Sequence, residues 1–375
     1  MNRGTQGREA TERFSLKDEL FNENTVRYLT DMFSDHLEVD RFVARVVAAF
    51  PQLELKERIT AIAMALADEL PQDMATLGPV IERALPPPLD PTKTDDDFGH
   101  FIFAPLGTLV EHRGLTDQPD IALRTLYALT QRFSMEFSIR AFLNTHPDIT
   151  LGHLSDWAED DNYHVRRLVS EGTRPRLPWG AGIKLPFETG LAFLDRLYAD
   201  PTRYVTRSVA NHLNDISKKE PDLVVDRLQR WQNEGRQEAA EMAWMTKHAL
   251  RGLQKAGHPR ALALLGFDDD PQVSGTLTLS PDPVVIGEKL IATIDLVPLR
   301  DEAVALDLVL CAAGRETGRH YKVKTVDLRA GDDQTIRKVL TLKGTATTYR
   351  LVPGAYRIDL RANGKLLDRQ NVTLR

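Results

Sequence analysis

Cysteine is nearly absent: Cys311 stands alone in 375 residues. One thiol can form neither an internal disulfide nor a Cys-based zinc site. No apolar run reaches the roughly 18 residues of a membrane-spanning helix. The opening MNRGTQGREATERF is polar and lacks the apolar core of a secretion signal. The chain is therefore expected to be soluble and cytoplasmic. His164 and His212 come without a third ligand pattern, so no metal is expected, and nothing in the sequence calls for a cofactor.

The length allows two domains, each with its own core. The net charge of -6 is unevenly spread. Residues 1–159 hold 15 Lys+Arg against 26 Asp+Glu, residues 160–260 hold 17 against 13, and residues 271–375 hold 16 against 12. An acidic first part followed by a mildly basic middle and end is compatible with a face for a polyanion.

Residues 1–20 read as a polar leader. From there to residue 268 the apolar residues recur at helical spacing, as in VDRFVARVVAAF and LKERITAIAMALADEL, punctuated by proline and glycine. PPPLDPTKTDDD is the one long loop in this part. HVRRLVSEG (164–172), YVTRSVANH (204–212) and WMTKHALRG (244–252) align without gaps at a spacing of 40. That period predicts an α-solenoid of HEAT-like repeats with a concave binding surface. After the aspartates at 268–270, a linker, the spacing becomes two. Seven short strands over 272–375, the last two joined by Asn363 and Gly364, predict an all-β immunoglobulin-like sandwich. The fold class is mainly α, with this sandwich at the end.

The stretch 161–180, DNYHVRRLVSEGTRPRLPWG, holds the densest chemistry. Val165, Leu168 and Val169 form one apolar stripe, with Arg166 and Arg167 off it. Gly172 suits a left-handed helix cap. The loop beyond carries two prolines, Arg174, Arg176 and Trp179.

The block HVRRLVSEGTRPRLPW, with FSMEFSIRAFL upstream and SVANHLNDISKKEPD downstream, resembles the AlkC branch of the AlkC/AlkD-type DNA alkylation-repair glycosylases. LELKERITAIAMALADELP is similar to the same family. The resemblance spans most of residues 20–265, and part of that family carries a C-terminal immunoglobulin-like domain. It implies hydrolysis of the N-glycosidic bond of cationic alkylated bases, chiefly 3-methyladenine, in duplex DNA held in the repeat groove, without base flipping. It further implies a monomer that needs no cofactor or membrane and lies on the nucleoid when bound to DNA. The positions matching the family's motifs are Glu136, Glu171, Trp179 and Asp215. Ala141 departs from the pattern, where a proline is expected after the arginine.

Each of these residues also has a structural reading. Glu171, at a helix C-terminus where the macrodipole opposes it, could be a partner for Arg174 or Arg176. Asp215 could pair with Lys218 or Lys219. Glu136 is ordinary near a helix start, and Trp179 could plug two repeats. Arg166, Arg167, Arg174, Arg176, Lys218 and Lys219 are candidate phosphate contacts. Trp157 is either a DNA contact or a filler between repeats, while Trp231 and Trp244 are read as core. Arg315, Arg319, Lys322 and Lys324 could touch DNA or merely decorate a stabilising module. The competing reading of the whole chain is a non-catalytic HEAT-repeat scaffold that binds damaged DNA or a protein.

Overall fold

The computed structural model describes residues 15–95, 97–346 and 349–375, with side chains left aside at 345–349. Helices run from Leu16–Leu20 to Pro259–Leu264, and strands follow from Val273. This is the mainly α class with an immunoglobulin-like sandwich at its end. The chain falls into two compact units, divided between His212 and Leu213. Of the stretch read as a leader, residues 1–14 lie outside the described residues. Leu16–Leu20 is a short helix, held by Lys17 on Glu54 at 2.8 Å and Asp18 on Arg58 at 2.6 Å.

In the first unit, helix ends follow local chemistry. Asn22 and Thr25 form a reciprocal capping box, as do Glu54 and Glu57. Pro119 and Pro147 open helices, where a missing N–H costs nothing. The core is a continuous set of buried Leu, Ile, Val and Phe side chains, among them Leu29, Ile62, Leu109, Leu126 and Phe142. Its driving force is removal of apolar surface from water. No helix among the described residues is long and apolar enough to cross a membrane.

The loop over residues 86–95 and 97–100 is not loose. The Leu89 N–H donates to the Gln131 carbonyl at 2.9 Å, and the Tyr204 N–H to that of Thr94 at 3.1 Å. The Tyr163 hydroxyl donates to the Lys93 carbonyl at 2.7 Å, and Gly99 bridges Phe133. The loop is thereby laid along the unit and brings Phe98 to the site described below.

In the second unit the strands are β1 (Val273–Ser280), β2 (Lys289–Pro298), β3 (Glu302–Ala312), β4 (Arg319–Leu328), β5 (Gln334–Thr341), β6 (Thr345–Ala346), β7 (Tyr349–Arg350), β8 (Gly354–Ala362) and β9 (Lys365–Leu374). β1-β2-β5 make one antiparallel sheet and β4-β3-β8-β9 the other, with β6 and β7 a short ribbon. Leu277, Ile294, Leu308 and Leu360 belong to the core between them. The run 284–299 is shorter as a strand than its pattern suggests, because Val284 pairs with Leu374 instead.

Asn363 and Gly364 have φ of 50° and 85°, as a two-residue turn with both centres left-handed requires. The Asn363 side chain accepts from the Ala305 N–H and donates to the Asp268 carbonyl, each at 2.8 Å. The aspartates are likewise tied down: Asp268 pairs with Arg300, and Asp270 with Lys365 at 2.5 Å. Trp231 is buried, as expected of core. Trp244 is only half-buried, and stacks on His248 at 5.0 Å.

Candidate active site

The helix Tyr163–Gly172 is the element on which the site is built. Asn162 caps it, its side-chain oxygen accepting from the His164 N–H at 2.9 Å. Val165, Leu168 and Val169 are fully buried, and the helix packs on Pro119–Thr130, Pro147–Trp157 and Phe187–Leu197. Gly172 is not a left-handed cap. It is the last helical residue, and a Cβ there would lie 2.6 Å from Cγ2 of Ile139. The glycine is required by close approach of an earlier helix, Ile139–Thr145.

Arg167 and Glu171 are one helical turn apart and meet two neighbours. Arg167 donates from Nη1 to Glu136 Oε2 at 2.7 Å, and its Nη2 lies 3.6 Å from Glu171 Oε2. Its guanidinium sits over the Tyr204 ring, 4.5 Å from the centre. Glu136 also accepts from the Ser134 hydroxyl at 2.9 Å. Glu171 accepts from Arg174 Nη1 at 2.5 Å and from the Ser208 hydroxyl at 2.6 Å. One arginine therefore bridges two carboxylates, and a second closes on the inner one.

Glu171 is 4% exposed. Burial alone pushes its carboxyl up, but Arg167, Arg174 and the Ser208 hydrogen bond outweigh burial and hold it below the ordinary 4.5. Burial disfavours the Arg167 charge too, yet Glu136, Tyr204 and Glu171 leave its pKa above the ordinary value. Burial drives the Tyr204 hydroxyl up. His164, buried among Tyr163 and Tyr204, is lowered to about 4 by desolvation and stays neutral.

Trp179 occupies a turn closed by the Gly180 N–H on the Leu177 carbonyl at 3.1 Å. Its φ of 66° is rare for a large side chain, and 56% of the residue is exposed. The backbone around it is over-determined. Lys56 Nζ donates to the Trp179 carbonyl. Arg140, fully buried, donates to the carbonyls of Gly172 at 2.9 Å, Arg174 at 2.8 Å and Ala181. Nothing in the residue pattern marks Arg140 for this role; its partners lie 32–41 residues away.

These parts enclose an open cleft of about 300 Å³, lined by Glu136, Glu171, Arg167, Arg174, Trp179, Phe98 and Tyr204 among others. Phe98, 52% exposed and edge-on to Tyr204 at 5.4 Å, comes from the long loop. Sequence reasoning passed over it, and also over Tyr204 and Ser208, which lie within the quoted blocks YVTRSVANH and SVANHLND but were not singled out there.

The other candidate residues are placed elsewhere. Arg166 is turned inward, with Nε on Asp200 at 2.6 Å and Nη1 on the carbonyls of Asp160 and Asp161. Arg174 is spent on Glu171, and Arg167 on both carboxylates. Trp157 is 6% exposed and packs between Tyr127 and His153, the arrangement of a filler between helices. Arg176 is exposed. Asp215, Lys218 and Lys219 belong to the second unit. There Asp215 is 6% exposed and accepts from Lys218 at 3.2 Å, the pairing weighed against function, while both lysines are exposed. No cluster among the described residues has the make-up of a metal site.

Residues 273–375 match the family described as uncharacterised protein YhaZ, C-terminal Ig-like domain. Uncharacterized protein YhaZ of Bacillus subtilis (strain 168) is 32% identical over 332 residues, which are 85% of this chain and 87% of that protein. The structure of Pseudomonas fluorescens alkylpurine DNA glycosylase AlkC, bound to DNA containing an abasic site analog, is similar with a TM-score of 0.82 and 28% identity, over 96% of this chain and 99% of that one. A helical region bearing a carboxylate cleft, followed by an immunoglobulin-like sandwich, is the architecture of that DNA glycosylase. The chain belongs to the AlkC-like family, in its form with the C-terminal immunoglobulin-like domain.

Proposed function

We propose that this protein is a DNA glycosylase that hydrolyses the N-glycosidic bond of cationic alkylated bases, chiefly 3-methyladenine, in duplex DNA. The observation that carries the reading is the buried Glu171, held as a carboxylate by its arginines, in one cleft with Glu136 and an exposed Trp179. An alkylated purine in DNA is cationic, so it leaves as a neutral base with little acid assistance. The charge then resides on the sugar as the bond breaks, and a fixed carboxylate stabilises that oxocarbenium-like centre.

Glu171 is held as a carboxylate by Arg167, Arg174 and the Ser208 hydroxyl. Its role is electrostatic, with orientation of water. Glu136, better exposed, shares the field, and Asp215 is the third carboxylate the family motif assigns. Trp179 offers its ring to the sugar or the cationic base. Arg167 and Arg174 keep Glu171 ionised. Arg176, Lys218 and Lys219 serve as phosphate contacts. The family's relation to DNA repair supports a monomer acting on duplex DNA in the cytoplasm, on the nucleoid, without a cofactor. Domain limits of 21–268 for the catalytic part and 272–375 for the sandwich go with this reading.

The test is single-turnover release of free base from methylated duplex DNA by wild type and Glu171→Gln. A rate lower by about 10²–10³-fold in the variant, with DNA binding retained, is the expected result. Wild-type protein that binds the duplex but frees no base would leave the scaffold.

A further inference from the structure

Next to the reaction cleft is a second cavity of about 170 Å³, walled by Ile59, Phe101, Phe133, Met135 and Phe137. Phe101, Phe133, Ser134, Phe137 and Trp179 line both spaces. The two differ in charge. The cleft holds Glu136 and Glu171, whereas the lining of the cavity has Lys56 and no carboxylate among the described residues. Phe101 and Phe133 stand 5.0 Å apart at a tilt of 59°, giving a flat guest a face and an edge. A closed apolar cavity of about 150 Å³ takes one benzene ring, so this partly open one suits a single small ring system.

We propose that this cavity binds the neutral methylated purine released by the reaction. The inference rests on the glycosylase reading. On cleavage the bonding electrons pass to the base, and its positive charge disappears. Before that step, a cationic lesion would have to leave the carboxylates and approach Lys56 in an apolar space, which both desolvation and repulsion oppose. After it, a neutral ring gains from aromatic walls and has no need of the carboxylates. The lining the two spaces share, Trp179 included, places the cavity one step from the cleft. The cavity thus acts after bond cleavage and clears the abasic sugar for attack by water.

The experiment uses the full chain and free 3-methyladenine at pH 8, with binding followed by calorimetry on the protein alone and by inhibition of multiple turnover. Ala104→Leu fills the cavity from a lining helix, and Thr60→Trp covers it from an exposed position should the first variant fold poorly. The expected result is that wild type binds the free base, that each folded variant weakens this by more than about tenfold, and that single-turnover cleavage is unchanged. Absence of binding to wild type, or binding that both substitutions leave intact, overturns the proposal. Deoxyadenosine binding as tightly as the free base also overturns it, since the cavity would then serve an attached base. Failure of the glycosylase reading shows separately, as wild type that releases no base.

Discussion

The Arg140 guanidinium donates to the Arg174 carbonyl at 2.8 Å, across 34 residues of sequence. That contact links a fully buried cation to the backbone of the residue whose own side chain closes on Glu171. Position of the inner carboxylate and position of the Trp179 turn are thereby set by the same side chain.

Arg140→Met is expected to lower unfolding free energy by about 3 kcal/mol, because buried carbonyls lose their donor. Arg140→Lys is expected to rescue little of this, since one ammonium cannot span the same carbonyls. Urea denaturation measures both. Trp179 in the folded variants should be more readily quenched by acrylamide. A Met variant as stable as wild type would show that the turn is held by other means.

The carboxylate cleft predicts a pH dependence. Glu171 sits below its ordinary 4.5, so its contribution to stability is present above that value and is lost as pH falls through the lower folded one. Catalysis that depends on it should hold through mildly acid pH. Arg167→Met removes an attraction that keeps Glu171 charged, so the acid limb of the single-turnover profile should move upward. An unmoved limb would mean that Arg174 and Ser208 suffice.

Trp179 has φ 66°, a conformation that costs a non-glycine residue about 1 kcal/mol. Trp179→Gly should therefore be more stable than Trp179→Ala by about that amount, although both lose the ring. Thermal denaturation compares the pair, and base release should fall in both. Equal stability would show that the strain is relieved elsewhere.

Gly172→Ala should destabilise by about 1–3 kcal/mol through the clash with Ile139. Ile139→Ala removes the opposing methyl, so the double variant should be more stable than the sum of the singles implies. A glycine needed only for backbone conformation would show no such coupling.

The period-two run after residue 272 and the Asn363, Gly364 pair were legible because strands and two-residue turns are specified locally. The central stretch was legible as a cluster because its prolines, arginines and tryptophan lie within one loop. Where each arginine points was not, since that depends on partners distant in sequence. Arg166 looks free beside Arg167, yet Asp200, 34 residues on, takes it inward. Phe98 was lost inside a loop whose course is fixed by hydrogen bonds from the Tyr163 hydroxyl and the Tyr204 N–H, which no local pattern announces. Gly172 shows the converse. Its identity was readable, but one residue type answers two needs, and only the proximity of Ile139 distinguishes them.

The tethering of the aspartate segment has its own consequence. Arg300 and Lys365 of the sandwich grip Asp268 and Asp270, Asn363 holds the Asp268 carbonyl, and Gly364 lies against Gly257, where a Cβ on Gly364 would come 2.4 Å from the Gly257 Cα. The join between the last helices and the first strand is a buttress rather than a hinge. A fragment cut at residue 271 would carry unmatched charges and a bared glycine seam on both halves. The helices after Leu213 and the sandwich should consequently melt together as one cooperative block.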